Sequence, residues 1–485
     1  MGHMPTWLKK TILAFLVINP IVFGINQQVG VWLLLAEFIF CLSQTTKAYP
    51  FITGGILAVE AIVIKMVDTH TVYHELHSNV NVLLLVLFMV AAVHFLADFL
   101  SFVFTKTLLH VKNKVLLSVL FFIFGSFMSA FSDALTVMAS VLTMIGAMYM
   151  VYHKVQSGKN YDDDHHDDDT VIQSELHNDL TQFRNFLINL LMYAAIGTVA
   201  GGIATKIGEP QNVPLAEAAG WDFVTFVSQM KWVTICVNVA GVATLILLEK
   251  VGWFGYSIKM PSSARHILTE YDTYMTKRRT SQETVSIFAQ GISFLLLIVG
   301  LRYHIAEPPI IATGIIILNA IISGKTKEHD VARSFHDALG FVALLMTFFI
   351  VVGAIAQQGI FNPIIAWVLT QPQNLQPAYL FGTSGILSVV SDNVFVALTH
   401  IPAIKEAYEA GQISKEHFEL LIKSVNAGTN IPSIGTPNGQ AAFIFIIMSP
   451  LAASLRLDYV KMMKLAFPFL VTLTSAALFA ILYFK

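Results

Sequence analysis

Ser132-Asp133-Ala134, in the middle of an apolar stretch at 115–153, recurs as Ser391-Asp392-Asn393 in the middle of another at 376–408. A second pair keeps the same order: Ile207-Gly208-Glu209-Pro210-Gln211-Asn212 returns as Ile434-Gly435-Thr436-Pro437-Asn438-Gly439. From the Asp to the first Gly of these motifs there are 75 residues in the first copy and 43 in the second, and the excess of 32 matches a polar loop at about 154–182. The chain reads as one unit written twice, with a loop inserted in the first copy.

Around these motifs the 485-residue chain is 55% hydrophobic and only 12% charged, where a soluble domain carries about 25% charge. Mean hydropathy is +0.67, and apolar runs recur from Thr11 to Tyr483. A soluble enzyme is excluded. Lipid offers the backbone no hydrogen-bond partner, so spanning segments are helices or closed barrels, and uninterrupted apolar runs are not alternating barrel strands. The expected fold is an all-α polytopic membrane protein. Full spans are read near 8–24, 29–46, 50–67, 79–105, 183–220, 231–249, 286–302, 308–324, 336–358, 414–455 and 458–483, about 11 transmembrane helices, with 183–220 and 414–455 interrupted. The stretches at 115–153 and 376–408, each broken by a Ser-Asp step, are drawn as two re-entrant hairpins.

Charge sets the orientation. Lys9, Lys10, Lys47, Lys106, Lys112, Lys114, Lys154 and Lys159, and later Lys250, Lys259, Arg265, Lys277, Arg278 and Arg279, belong on the cytoplasmic side. That places the N-terminus in the cytoplasm and runs the halves in opposite senses. The division is then 1–28, an N-terminal tail and extra helix; 29–250, the first inverted repeat; 251–285, a basic cytoplasmic linker; and 286–485, the second inverted repeat. Inverted repeats with interrupted helices signal a secondary transporter.

Cys41 and Cys236 both lie in apolar runs, so no disulfide framework or Cys-based metal site is expected, and a net charge of −2 gives no reason for a nucleic-acid partner. Zincin, nucleophile-elbow and P-loop patterns are absent, so no enzyme and no cofactor is expected.

An ionised group at the bilayer centre costs about 2.5–3.5 kcal/mol, so Asp133 and Asp392 demand a function that offsets it. Each has neighbouring hydroxyl or amide oxygens, from Ser132 and Thr136 in one copy and Ser391 and Asn393 in the other. Hard oxygen ligands suit a small hard cation. Gly208, Pro210, Gly435 and Pro437 interrupt helices where carbonyls can turn toward an ion, and Thr205, Glu209, Asn212, Thr429, Asn430, Ser433, Thr436 and Asn438 add polar side chains. Glu209 could instead pair with Lys206 on its own helical turn.

Phe131-Ser132-Asp133-Ala134-Leu135-Thr136-Val137, Gly208-Glu209-Pro210-Gln211-Asn212, Ser391-Asp392-Asn393-Val394-Phe395-Val396, Gly428-Thr429-Asn430-Ile431-Pro432-Ser433 and Thr436-Pro437-Asn438-Gly439-Gln440-Ala441-Ala442-Phe443 closely resemble the NhaB-type bacterial sodium/proton antiporters of the ion transporter superfamily. The match extends over nearly the whole chain, through Gly30-Val31-Trp32-Leu33-Leu34 with Glu37 and Trp253-Phe254-Gly255-Tyr256. The resemblance implies a homodimer with scaffold and transport domains, the latter built on the two hairpins, whose tips and unwound loops form the cation site. Acids at the tips, where carboxylate carriers of that superfamily bear Ser-Asn-Thr, favour a cation or proton. Against the family pattern, Lys206 replaces an apolar residue and Ala97-Asp98 replace Lys-Gln. A displaced positive charge at Lys206 is read as an internal counter-ion to Asp133, or as an ordinary ion pair with Asp98 or Glu209.

Other features are read as structural. Asp162 to Asp169, reading Asp-Asp-Asp-His-His-Asp-Asp-Asp, is taken as a solvated, poorly ordered loop rather than a pH sensor or divalent-ion trap. Glu37 and Glu60 are expected in a buried pairing or a dimer contact. His70, His74 and His77 are expected in a membrane-surface turn rather than at zinc, and His94 with Asp98 in a buried pair rather than a proton relay. The expected function is a sodium/proton antiporter of the bacterial cytoplasmic (inner) membrane. It would export Na⁺ and Li⁺ against H⁺ with Na⁺ at Asp133 and Asp392, the lipid bilayer as its medium and alternating access by an elevator-like movement. A sodium-coupled anion or carboxylate symporter on the same scaffold is the closest alternative, and an ion channel a further one.

Overall fold

The computed structural model describes residues 4–44, 48–78, 80–132, 134–161, 163, 168–169, 172, 174–303, 305–360, 362–390 and 393–484, and among these no strand occurs. The first half contributes α1 (Thr6–Ile25), α2 (Gln27–Ser43), α3 (Pro50–Val63), α4 (Thr69–Ser78), α5 (Val80–His94), α6 (Ala97–His110), α7 (Lys114–Ser129), α8 (Ala134–Gln156), α9 (His177–Gly202), α10 (Asn212–Ala219) and α11 (Phe223–Val251). The basic segment between the halves carries α12 (Ser262–Arg278). The second half contributes α13 (Ser281–Arg302), α14 (Pro308–Ser323), α15 (Glu328–Gln358), α16 (Asn362–Thr370), α17 (Gln376–Val390), α18 (Asn393–Glu409), α19 (Lys415–Asn430), α20 (Ala441–Met448), α21 (Pro450–Leu455) and α22 (Tyr459–Tyr483).

Local chemistry marks the ends. Asn113, Asp222, Ser414 and Asp458 accept backbone N–H groups at the starts of α7, α11, α19 and α22, and Thr280 with Glu283 forms a reciprocal capping box on α13. Left-handed Gly252, Gly324 and Gly359 close α11, α14 and α15. By length and composition, six helices among the described residues can cross a membrane: α1, α9, α11, α13, the Ala338–Gln358 part of α15, and α22. The pair Leu83–His94 and Ala97–His110, bent by 58°, adds a seventh if taken as one span. The reading of eleven crossings also draws on shorter apolar helices such as Pro50–Val63 with 14 residues. Such a helix rises about 21 Å against a hydrocarbon core of about 30 Å.

Two apolar cores form, and each takes helices from both halves of the chain. Phe38, Leu57, Leu297, Phe348 and Phe349 belong to one, built on α2, α3, α5, α13, α14 and α15. Phe122, Tyr193, Phe226, Phe443 and Phe469 belong to the other, built on α7 to α11 and α17 to α22. Met128, Val137, Ile207, Val213 and Val394 sit on helices or loops of the second group yet pack into the first core, so the broken parts of the chain lie where the two meet. The α9 span is 94% buried, whereas the other spans leave more of their surface uncovered.

The acidic loop ends in a structured clasp rather than in solvent. Asp169 accepts two hydrogen bonds from Arg184 of α9, at 2.9 and 2.7 Å, and one from Arg456 at 2.5 Å; His153 Nε2 lies 3.3 Å away. Arg184 also donates to Tyr149 and to the Ser454 carbonyl. Asp162 and residues 164–167 of the tract lie outside the described residues. A buried guanidinium needs a carboxylate, and the last acid of the tract supplies it. The basic segment is likewise ordered: Lys106 of α6 holds Asp272 of α12 at 2.7 Å.

The hydrogen bonds from Arg184 hold the Asp169 carboxyl well below the usual carboxylate range. A depressed carboxylate stabilises the fold above its ordinary pKa and loses that contribution only as pH falls through the folded value, so the clasp holds throughout about pH 5 to 8. Asp169→Asn should cost about 3 kcal/mol by leaving Arg184 uncompensated, read as a lower melting midpoint in detergent; an unchanged midpoint would mean that the clasp carries no load.

Candidate cation site

Both tip-and-break units are built from the same contacts. In the first half Thr205 donates its hydroxyl to the Ala130 carbonyl at the end of α7, and in the second Thr436 donates to the Val389 carbonyl at the end of α17. A Cβ on Gly197 would overlap the Phe122 backbone, and one on Gly428 the Phe381 backbone, so α7 meets α9 and α17 meets α19 at backbone contact. A Cβ on Gly208 would strike the carbonyl oxygens of Gly202 and Ser129, and one on Gly439 those of Ser433 and Ser388. These contacts pair Gly208 with Gly439, four residues beyond Gly435, its partner in the sequence comparison. They set Ile203-Ala204-Thr205-Lys206-Ile207-Gly208-Glu209 against Ile434-Gly435-Thr436-Pro437-Asn438-Gly439-Gln440. The Gly-x-Pro match is local resemblance; the packed position is shared by the Thr that reaches the neighbouring helix end and the Gly that lets it approach.

The breaks are held by side-chain amides. Residues 203–211 leave the helical path between α9 and α10, and Asn212 Nδ2 donates to the Gly202 and Thr205 carbonyls at 2.8 and 2.7 Å. Between α19 and α20, Gln440 Nε2 donates to the Asn430 carbonyl at 2.9 Å and to Ser433 Oγ at 2.8 Å. Turned so that its nitrogen faces carbonyls, the Asn393 amide donates to Thr429 O at 2.7 Å and Gly439 O at 3.0 Å, and the Ser388 hydroxyl donates to Thr429 O at 2.6 Å. The tip, the helix end and the break are thereby fastened to one another.

The two units interlock crosswise. The helix that follows the first break, α10, packs against α18 and α19, and the helix that follows the second break, α20, packs against α8. Since α8 and α18 begin directly after positions 133 and 392, each break faces the helix that leaves the opposite tip. Ser132, Asn212, Thr429 and Asn430 are buried here, as are Glu209 and Asn393. Ser129 Oγ, Ser132 Oγ, Asn212 Oδ1 and Gln440 Oε1 are buried without a hydrogen-bond partner among the described residues, an oxygen-rich arrangement suited to a hard cation.

The chain matches the family described as Bacterial Na⁺/H⁺ antiporter B (NhaB) over residues 1–484. It belongs to that family. The Na⁺/H⁺ antiporter NhaB of Hahella chejuensis is 44% identical over 470 residues, covering 97% of this chain and 94% of that one. That of Alteromonas mediterranea is 44% identical over 481 residues, covering 99% and 91%. Among solved structures, the Alcanivorax borkumensis YdaH transporter aligns with a TM-score of 0.48 at 12% identity, over 85% of this chain and 86% of that one. Neisseria gonorrhoeae MtrF aligns with a TM-score of 0.48 at 12% identity, over 83% and 80%.

Within this NhaB chain, Asp133, Ser391 and Asp392 lie outside the described residues, as do the side chains of Thr136 and Asn438. Among the described residues neither of the ordinary ion pairs expected of Lys206 is present. Asp98 lies 3.8 Å from Lys325 and accepts from Gln290 at 3.2 Å, and among the described residues no Lys206–Glu209 pair is present. The Asp98 side chain is 60% exposed, so it is not in the buried pair expected with His94. Glu37 and Glu60 are joined through Asn19, whose Nδ2 donates to them at 2.7 and 2.8 Å. No three His, Cys, Asp or Glu converge on a metal position among the described residues. Sequence reasoning missed Gln440, Ser129 and Ser388 as part of the site; the shared Ile-x-Thr-x-x-Gly-Glu/Gln spacing was the signal for Gln440.

Gly439→Ala forces a methyl against two carbonyl oxygens and should destabilise the NhaB fold by about 3 kcal/mol, measured by melting in detergent. Gly314→Ala, where a Cβ meets open space, should melt like the wild type; equal midpoints for the two variants would contradict the packing.

Proposed function

We propose that this chain is a Na⁺/H⁺ antiporter of the bacterial cytoplasmic membrane, with the N-terminus inside, and that Asp133 and Asp392 carry the exchanged ions. The name borne by its relatives supports the exchange reaction. The single observation that supports the site is the crosswise interlock of the two broken helices with α8 and α18, the helices that leave the two acids. The matching contacts in the two halves support reading them as inverted repeats around one site.

Competition supplies the mechanism. In a dry site desolvation raises a carboxylate's pKa, and a bound cation lowers it, so proton and Na⁺ exclude one another. Ser132, Asn212, Thr429 and Asn430, with released backbone carbonyls, offer the remaining oxygens. The first half adds the acid Glu209 and the base Lys206 where the second has the neutral Gln440 and Pro437. Occupancy by Na⁺, Li⁺ or protons reduces the charge of the site and lets the transport core move against the scaffold core of a dimer, while the empty, doubly charged site stays put. Lys206 acts as the counter-ion of the vacant state.

In proteoliposomes, Asp133→Asn and Asp392→Asn should each abolish or uncouple Na⁺/H⁺ exchange, followed by dye quench after Na⁺, Li⁺ and K⁺ pulses, with folded protein still present. Full exchange by both would refute the assignment. In the same assay Lys206→Met should change the apparent Na⁺ affinity and its pH dependence; an unaltered profile would remove the counter-ion.

A further inference from the structure

We propose that a cationic cleft between the start of α7, the end of α11 and the segment leading into α12 binds the phosphate of an anionic phospholipid headgroup. Sequence reading used its basic residues only to set orientation. The cavity, about 460 Å³, is lined by Lys112, Lys114, Lys259 and Arg265, with Glu249 as its one carboxylate among the described residues. Glu249 is already engaged: one oxygen accepts from Lys114 at 3.1 Å, Ser118 at 2.9 Å and Tyr193 at 2.9 Å. Lys114 is thus neutralised in place, over the Phe186 ring. Arg265 is anchored through the Leu109 carbonyl at 3.2 Å, and among the described residues Lys112, Lys259 and Arg265 form no ion pair. Three positive charges converge on one space in which, among the described residues, the one carboxylate, Glu249, is held by Lys114, Ser118 and Tyr193.

Two further observations point to a lipid rather than a free ion. A second cavity, about 500 Å³, shares Ser257 and Lys259 with the first and is lined by Asn178, Thr181 and Gln182. Hydroxyl and amide groups beside a phosphate position fit a hydroxylated headgroup such as glycerol. Between the lining residues Glu249 and Ser257 the chain carries Trp253 and Phe254, 62% and 47% exposed, just where the apolar helix α11 ends. Aromatic rings at a span's end sit at headgroup level, and basic pockets between spanning helices at the surface bind anionic headgroups.

The test is native mass spectrometry of the full-length protein in detergent, offered phosphatidylglycerol or phosphatidylcholine. The wild type should retain phosphatidylglycerol by roughly tenfold or more over phosphatidylcholine. Lys112→Gln/Lys259→Gln/Arg265→Gln should lose that preference, while Lys277→Gln/Arg278→Gln on the far end of α12 should keep it. If the triple variant does not fold, Lys259→Gln alone should cut the preference by about threefold. An undiminished preference in these variants would overturn the proposal. Inorganic phosphate distinguishes the source: displacement of bound phosphatidylglycerol by phosphate supports the headgroup site, whereas phosphate binding without retention of phosphatidylglycerol would overturn the lipid assignment.

Discussion

A helix broken inside an apolar interior leaves carbonyls and N–H groups that water cannot reach, and everything at the centre of this molecule answers that constraint. Asn212 and Gln440 meet it with amide donors aimed at the freed carbonyls. Thr205 and Thr436 meet it by tying each break to the end of a neighbouring helix. In the proposed exchange, the carbonyls that remain, with the orphaned oxygens of Ser129, Ser132 and Asn212, would be the ligands of a desolvated cation. Structure and proposed function draw on the same defect.

The defect is nearly symmetric, and its departures from symmetry carry chemistry. The matched glycine contacts make Glu209 the counterpart of Gln440 and Lys206 that of Pro437, so the first half holds an acid and a base where the second holds an amide and a helix breaker. A site with equal halves has no reason to treat inward and outward states differently. These two positions supply such a reason in the proposed exchange, and they sit between an apolar core of α2, α3, α5 and α13 to α15 and another of α7 to α11 and α17 to α22.

Much of this was legible in the sequence because breaks in apolar runs are expensive and therefore conspicuous. Ser132, Gly208-Glu209-Pro210 and Pro437-Asn438-Gly439 all fall between α-helices. The pairing of the two breaks was not legible, because Gly and Pro mark where a helix ends and not which residue faces which tip; that choice was made by Thr205 and Thr436 reaching across the fold. Asp169 was misread for a related reason. In a run of acids each looks solvated, and only the folded chain reveals that Arg184, buried on α9, recruits the last of them. Nor could local spacing show that Asp98, one turn from His94, would face Lys325.

The central claim is that proton and sodium exclude each other at one desolvated site, and calorimetry of Na⁺ binding to the purified protein tests it most directly. Titrations repeated in buffers of different ionisation enthalpy count the protons released on binding. The account predicts proton release, with Na⁺ affinity falling about tenfold per unit of acidification for each competing proton. Sodium binding with no proton release and an affinity indifferent to pH would contradict it.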